Sequence, residues 1–220
     1  MGRVFALRNV RIFYKKLGRL KFVSHLDMTR FMSRLIAKSQ IPIWYTEGFN
    51  QHIYMNFALP LSLGYEGYYE VMDFRLIDDD YSLEDCLEAM KKVAPPDIEF
   101  FGIAEPKSNM KEIGWADYVL TIDSKDISLL NEIEKFLQQD AIICEKVGKK
   151  KKVKEIDLIP KIHSFSICGN ELKLRLVAGT EDNLNPSLVM NKFFEQSRSE
   201  PLFYSVKRTA ILDKKLNVFA

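Results

Sequence analysis

Two short polar segments contain the residue types that acid–base chemistry or metal binding requires. The first is SHLD at residues 24–27, and the second is EGFNQH at residues 47–52. An imidazole can transfer a proton near neutral pH, and a carboxylate beside it can orient the ring or bind a cation. If the second segment folds back on the first, the two segments form one site. The candidate catalytic residues are then His25, Asp27, Glu47 and His52.

The spacing also allows a structural interpretation of these residues. His25 and Asp27 are two positions apart at a predicted helix start, where their side chains need not converge. Ser24, with an acidic residue three positions later, is typical of a helix N-cap, so Asp27 can serve the cap and His25 can be a capping or hydrogen-bonded residue. Because no pair of the three cysteines has C-x-x-C spacing, we expect no structural metal, and we expect no cofactor.

The net charge of +2 hides an uneven distribution along the chain. Residues 1–60 contain 10 Lys and Arg against 2 Asp and Glu, residues 61–140 contain 7 against 19, and residues 141–220 contain 15 against 9. Ordinary solvated surfaces mix the two signs. The basic ends of the chain therefore favour an anionic partner.

The basic residues fall into two groups. Arg30, Arg34 and Lys38 are spaced by four and predict one cationic stripe on a helix. The preceding segment adds Arg11, Lys15, Lys16, Arg19 and Lys21. The second group is the run GKKKKVK at residues 148–154, with Lys150, Lys151 and Lys152 at its centre. Such a run attracts phosphate without distinguishing sequence, and it can equally serve solubility.

Aromatic residues are interleaved with the first basic group. Trp44, Tyr45 and Phe49 lie beside the second polar segment, and we expect these three to be partly exposed and most other aromatics to be in the core. Exposed rings beside cations bind single-stranded RNA by stacking on its bases while the cations neutralise phosphates. The candidate nucleic-acid-binding residues are Arg19, Arg30, Arg34, Lys38, Trp44, Phe49, Asn50, Lys150, Lys151 and Lys152.

Hydrophobic periodicity predicts an α+β fold in two similar halves. A strand over residues 10–16, a helix over residues 24–39, two further strands, a helix ending before Pro95-Pro96 and a last strand give the order βαββαβ. The order starts again after a linker at residues 105–114, with a strand at 141–147, a hairpin around Gly169-Asn170 and a helix opened by Asn185-Pro186. We predict two tandem ferredoxin-like modules with antiparallel sheets, residues 1–105 and 115–220.

The first 105 residues resemble the bacterial radical-SAM-linked proteins, an uncharacterised family whose members occur alone or behind a radical SAM enzyme domain. Three segments carry the resemblance: GRLKFVSHLD at residues 18–27, YTEGFNQH at 45–52 and FALPLSLG at 57–64. Gln51 stands where the family usually has proline, which makes this turn less rigid. The resemblance implies a bacterial host, a cytoplasmic location and a radical SAM partner protein engaged in modifying RNA or ribosomes.

Three functions remain open at this stage. The first is a non-catalytic module that binds RNA, either tRNA or rRNA, or a radical SAM partner, and presents the substrate. The second is a metal-independent RNA endonuclease with His25 or His52 as general acid or base, since the tandem architecture also looks like that of CRISPR repeat-processing endonucleases. The third is a protein–protein adaptor. The sequence lacks the glycine-rich phosphate loop, the dinucleotide fingerprint and the cysteine triad of a radical SAM enzyme, so an accessory role without catalysis is favoured. With no bilayer-spanning apolar run, we expect no membrane contact.

Overall fold

The computed structural model describes residues 7–123, 127–147 and 153–220. The fold is α+β with antiparallel sheets. The chain divides into two compact units: the first runs up to Ile113 and includes Val218–Ala220, and the second is Gly114–Asn217. The boundary falls within the linker that the sequence predicts. No helix in the described ranges is long and apolar enough to cross a membrane.

The first unit is a four-stranded antiparallel sheet with two helices. Along the chain its elements are β1 (Arg8–Lys16), α1 (His25–Ser39), β2 (Met55–Phe57), β3 (Glu66–Leu76), α2 (Leu83–Val93) and β4 (Ile98–Ala104). The spatial order of the strands is β4-β1-β3-β2, with antiparallel pairing at every contact. Each helix therefore connects two strands that are not neighbours, which places it across one face of the sheet.

Helix α1 begins and packs as its sequence predicts. Ser24 is the N-cap, and its side chain accepts a hydrogen bond from the Asp27 backbone N–H. The side chains at helical spacing are buried: Met28, Met32, Leu35 and Ile36. They pack against Val10 and Ile12 of β1 and Phe74 of β3 in one apolar core. These buried side chains lie on the face of α1 opposite Arg30, Arg34 and Lys38, because the two sets occupy different positions around the helix.

The second unit has a similar order of elements with one addition. Its elements are β5 (Ile113–Ile122), α3 (Ile127–Leu137), β6 (Ile143–Val147), β7 (Val153–Asp157), β8 (Ile162–Cys168), β9 (Glu171–Val177), α4 (Pro186–Ser197) and β10 (Tyr204–Asp213). The main sheet has the order β10-β5-β9-β8, whereas β6 and β7 form a separate two-stranded hairpin. The predicted strand at 141–147 therefore exists but does not belong to the main sheet.

The three cysteines differ in exposure, which predicts their reactivity. Cys86 is fully buried and Cys144 is buried, whereas Cys168 is exposed. Burial raises the pKa of the Cys86 thiol from 9.0 to about 12, although Arg8 acts in the opposite direction. Because the thiol ionises more easily in the unfolded chain, its contribution to stability is complete below pH 9 and is lost as the pH rises towards 12.

We expect a thiol-specific reagent at pH 8 to label one cysteine of the native protein and three in denaturant. The thiolate is the reactive form, and it needs access to the reagent. Counting modified thiols by mass spectrometry checks this, and the variant Cys168→Ser should be inert until it is unfolded. Rapid labelling of Cys86 in the native protein would contradict the burial.

Candidate nucleic-acid interface

The second polar segment forms a closed loop whose two ends are fastened by Thr46 and His52. The Thr46 N–H donates to the His52 carbonyl oxygen at 2.8 Å, and the His52 N–H donates to Thr46 Oγ1 at 3.2 Å. His52 Nδ1 lies 3.1 Å from Thr46 Oγ1 and 3.0 Å from the Asn50 carbonyl oxygen. A backbone bridge between Tyr45 and Ile53 continues the closure. The imidazole therefore has a structural role in holding the loop.

The tip of this loop presents an aromatic side chain to solvent. Gly48 has φ +114°, a conformation that L side chains rarely adopt, although a Cβ there would meet nothing within 4 Å. Glycine is thus required by the backbone turn and not by crowding. Phe49, the next residue, is completely exposed. Glu47 and Asn50 are also exposed, so residues 47–50 form a projecting tip that we call the display loop.

His25 lies at the first residue of α1, on the rim of a narrow crevice. Its ring packs edge-on against Phe57 of β2, with 5.1 Å between ring centroids. The crevice continues to Lys16 and Glu70, both of which are buried, and its volume is about 10 Å³. This space fits a single water molecule at most. The crevice itself therefore has no room for a nucleotide, although His25 on its rim is exposed to solvent.

The other acid–base candidates are not assembled around His25. Asp27 accepts a hydrogen bond from the Ser24 hydroxyl at 2.8 Å and from Arg30 at 3.2 Å. Among the residues that the structure describes, no hydrogen bond or ring contact joins His25 to His52. The capping interpretation of Asp27 is therefore confirmed. His25 contacts Phe57, whereas His52 contacts Thr46 and Asn50.

Several cations of the first unit are neutralised by carboxylates, including four of the first basic group. Arg11 is buried and paired with Asp73, and Lys16 is buried with its ammonium 3.1 Å from the Val23 carbonyl oxygen, so neither can reach a phosphate. The remaining ion pairs are Arg8–Glu105, Lys15–Glu99, Arg19–Asp97 and Arg30–Asp27. Arg19 and Arg30 are nevertheless largely exposed and can exchange their carboxylates for phosphate.

Arg34 and Lys38 differ from these paired residues. Both are exposed on α1, and among the described residues neither has a carboxylate within ion-pair distance. They lie in the same turns as Leu35 and Ile36, which share a core with Ile53 at the base of the display loop. The two cations lie in the last two turns of α1. Among the described residues, no hydrogen bond, ion pair or ring contact joins them to the display loop.

A cation–aromatic cluster surrounds Arg75, and no sequence pattern indicates it. Its guanidinium lies 4.4 Å from the centre of the Tyr54 ring and 5.3 Å from that of Trp44. Its Nε donates to Asn9 Oδ1 at 2.9 Å. Trp44 is half-buried as a result, whereas Tyr45 and Phe49 are exposed. The predicted partial exposure of all three aromatics is confirmed.

The lysine run and an acidic cluster add no described contacts to the candidate interface. Lys150, Lys151 and Lys152 lie outside the described residues. Within the described ranges, Asp78, Asp79 and Asp80 have carboxylate oxygens within 4.8 Å of one another and could hold a metal ion. Exposed acidic groups of this kind are common without an ion.

Comparisons with known proteins give a family but no activity. A family model described as an uncharacterised protein conserved in bacteria, DUF2344, matches residues 9–186. The chain belongs to this family. The match includes α1, the display loop and most of the second unit. The description names no activity and no partner, so the expected radical SAM protein stays a prediction.

Searches of other known proteins add little to the DUF2344 assignment. No curated protein matches the sequence. A Cbf5-Nop10-Gar1 complex aligns at 11% identity and a TM-score of 0.44, over 92% of this chain and 48% of that one. An unknown protein from Galdieria sulphuraria (8% identity, TM-score 0.28) covers 92% and 99% of the two chains. A putative glycine cleavage system transcriptional repressor (12%, 0.25) covers 91% and 96%. The chain spans about half of the first structure, and similarities this low carry no functional argument.

Proposed function

We propose that the protein is a non-catalytic recognition module that binds RNA through its first unit. Phe49 stacks on a base, while Arg34 and Lys38 contact phosphates. The observation that carries this proposal is the complete exposure of Phe49 on a loop that Thr46 and His52 hold closed. The closed loop restricts the backbone that carries the ring, so less backbone conformational entropy is lost when the ring stacks.

The distribution of charge supports a phosphate contact in the same unit. Arg34 and Lys38 are exposed cations without a carboxylate partner in the described part of the chain, in a unit where most arginines are paired. Phosphate groups would supply the missing counter-charge, and the released counterions would make binding salt-dependent. Asn50, exposed beside the ring, can donate and accept hydrogen bonds at a base edge.

A non-catalytic role is supported by the structural contacts that Asp27 and His52 make. Proton transfer needs a group within hydrogen-bond reach of its substrate. His52 is engaged in closing the display loop, and the crevice beside His25 has room for one water at most. The endonuclease alternative therefore has no observation in its favour.

We further propose that each unit is a ferredoxin-like module. The strand orders β4-β1-β3-β2 and β10-β5-β9-β8 support this if the β6–β7 hairpin is treated as an insertion into the second unit. In each case the first and third strands along the module are adjacent, as the split β-α-β arrangement requires.

A second candidate function is docking to a protein, which the sequence resemblance suggests is a radical SAM enzyme. Outside the display loop, the first unit has further large apolar side chains that are more than half exposed, among them Phe22, Leu26 and Leu63. The Gly64 N–H donates to the Lys21 carbonyl oxygen at 2.7 Å, which brings Leu63 close to Phe22. An apolar patch of this kind is typical of a protein contact.

Reversing the charges of Arg34 and Lys38 should weaken RNA binding by about tenfold or more. The variant Arg34→Glu/Lys38→Glu removes two phosphate contacts, so the salt dependence of binding should also decrease, by about 0.7 in the logarithmic slope per contact for a single strand. Fluorescence anisotropy of a labelled oligouridylate over a salt series measures both quantities.

The matched control is Lys91→Glu/Lys92→Glu, which makes the same charge change at the end of α2, where both lysines are exposed. It should retain nearly wild-type affinity. Equal losses in the two variants, or no binding by the wild-type protein, would overturn the proposal. Gel analysis of the recovered RNA tests catalysis, and cleavage that depends on His25 and His52 would restore the endonuclease alternative.

A further inference from the structure

The main sheet of the second unit has one apolar face and one polar face. Strand β9 buries Leu172, Leu174 and Leu176 and turns Lys173 and Arg175 to the other side. Strand β5 alternates in the same way. It buries Ala116, Tyr118 and Leu120 and turns Trp115, Asp117 and Val119 outward. Since successive side chains of a strand point to opposite faces, these outward residues share one surface.

The strand register arranges this surface in two adjacent rows. Ser164, Arg175 and Asp117 are opposite one another on β8, β9 and β5. Ser166, Lys173 and Val119 form the next row in the same order. The rows line an open groove of about 390 Å³, to which β10 adds the hydroxyl of Thr209. The groove therefore crosses all four strands of the sheet.

The groove contains two cations, Arg175 and Lys173, of which, among the described residues, only Arg175 is paired with a carboxylate. Arg175 donates from Nε and from Nη2 to the two carboxylate oxygens of Asp117, at 2.7 and 2.8 Å. The hydrogen bonds to Asp117 raise the pKa of Arg175 further, despite some desolvation. Lys173 is exposed, its cross-strand neighbours are uncharged, and no described carboxylate lies within ion-pair distance of it. Its charge is thus available to an anionic ligand.

An aromatic pair stands at one end of the same surface. Trp115 precedes Asp117 by two residues on β5, so the two side chains are on one face, about 6.7 Å apart along the strand. The ring of His163, on β8, packs edge-on against Trp115 with 5.1 Å between centroids. His163 is exposed and Trp115 is half-buried. The surface therefore presents a flat ring beside hydroxyl groups and a free ammonium.

We propose that this face of the second unit, from Trp115 to Lys173, binds a segment of single-stranded RNA. A base stacks on Trp115, Lys173 neutralises a phosphate, and the hydroxyls of Ser164, Ser166 and Thr209 bond to ribose and phosphate oxygens. The groove is open along its length, which suits a chain that crosses it better than a small ligand that must be enclosed. The proposal depends on the protein being an RNA-binding protein, but it concerns a second surface.

The experiment compares Lys173→Glu with Lys135→Glu in the full chain. Lys135 is exposed on α3, so the second variant makes the same charge change outside the groove. The probe is an oligouridylate of about 16 nucleotides, and binding is measured over a salt series. We expect Lys173→Glu to lower affinity about tenfold and to reduce the logarithmic salt slope by about 0.7, with Lys135→Glu unchanged.

Tryptophan fluorescence provides a second, independent readout of this surface. The protein has two tryptophans, so we expect the RNA to quench a signal that is absent from Trp115→Phe. If the wild-type protein binds RNA but Lys173→Glu binds equally well and Trp115 is not quenched, the second surface is wrong and the first can stand. If Lys173→Glu weakens binding while Arg34→Glu/Lys38→Glu does not, the assignment to the first unit fails and this one holds. No binding by the wild-type protein overturns both.

Discussion

Replacing Arg11 with alanine is expected to lower the free energy of unfolding by about 3–5 kcal/mol, which is the usual cost of removing one partner of a buried ion pair. Arg11 is almost fully buried and donates to both carboxylate oxygens of Asp73, at 2.7 and 2.9 Å. It also donates to Ser108 and to the Ala220 carbonyl oxygen at 2.9 Å, and its guanidinium lies 4.4 Å from the centre of the Phe219 ring. In the Arg11→Ala variant, the Asp73 carboxylate, Ser108, the Ala220 carbonyl oxygen and the Phe219 ring all lose this contact.

The control is Lys15→Ala, which removes a cation of the same strand. Lys15 pairs with Glu99 at 3.0 Å, but both side chains are substantially exposed, so the loss should be within about 1 kcal/mol. Urea unfolding followed by fluorescence or circular dichroism measures both variants. The variant Arg11→Met/Asp73→Leu removes the charges as a pair and should recover part of the stability, since no unpaired carboxylate remains. Equal stabilities of Arg11→Ala and Lys15→Ala would contradict the buried network.

Replacing Phe49 with alanine should weaken RNA binding by about 1–3 kcal/mol, the range found when one stacked base loses its aromatic partner. At the upper limit this is a change of more than 100-fold in the dissociation constant. Because no charge is altered, the logarithmic salt slope should remain that of the wild-type protein. Phe49 makes no core contact, so the stability of the fold should be unchanged within about 0.5 kcal/mol.

Phe22→Ala is the matched control for the stacking prediction. Phe22 is 67% exposed in the same unit but lies outside the display loop, so this variant should bind the oligouridylate with wild-type affinity. Tyr or Trp at position 49 should restore binding, because stacking needs only a flat ring. Wild-type affinity in Phe49→Ala would contradict the stacking contact, whereas a loss in Phe22→Ala would place the RNA on the apolar patch instead.

The display loop has a structural role that the residue types of its motif do not indicate. The residues EGFNQH suggested acid–base chemistry because they include a carboxylate and an imidazole. In the structure, Gly48 provides the left-handed turn, and His52 closes the loop on Thr46. A glycine between polar residues does indicate a turn. The position of the His52 ring relative to His25 depends on the path of residues 40–57, which no local pattern determines.

The distribution of cations was the least predictable property of the first unit. Arg11, Lys15 and Arg34 have the same formal charge in the sequence, yet the first is buried, the second is paired and the third is without a carboxylate. The acids that neutralise them belong to distant segments, such as Asp73 and Glu99. Counting charges within residues 1–60 therefore overestimated the cationic surface, because neutralisation occurs between strands that are far apart along the chain.

The sequence by itself determined the helices and their caps. Ser24 and Asn185 begin α1 and α4 as predicted, and Ser82 begins α2, because a side-chain oxygen needs only the next few backbone N–H groups as partners. Tertiary structure alone decided the separate β6–β7 hairpin, the burial of Arg11 and Lys16, and the pairing of Arg11 with Asp73 and Ala220. Those properties depend on register and pairing between segments up to about two hundred residues apart, such as Arg11 and Ala220, and no short-range pattern contains that information.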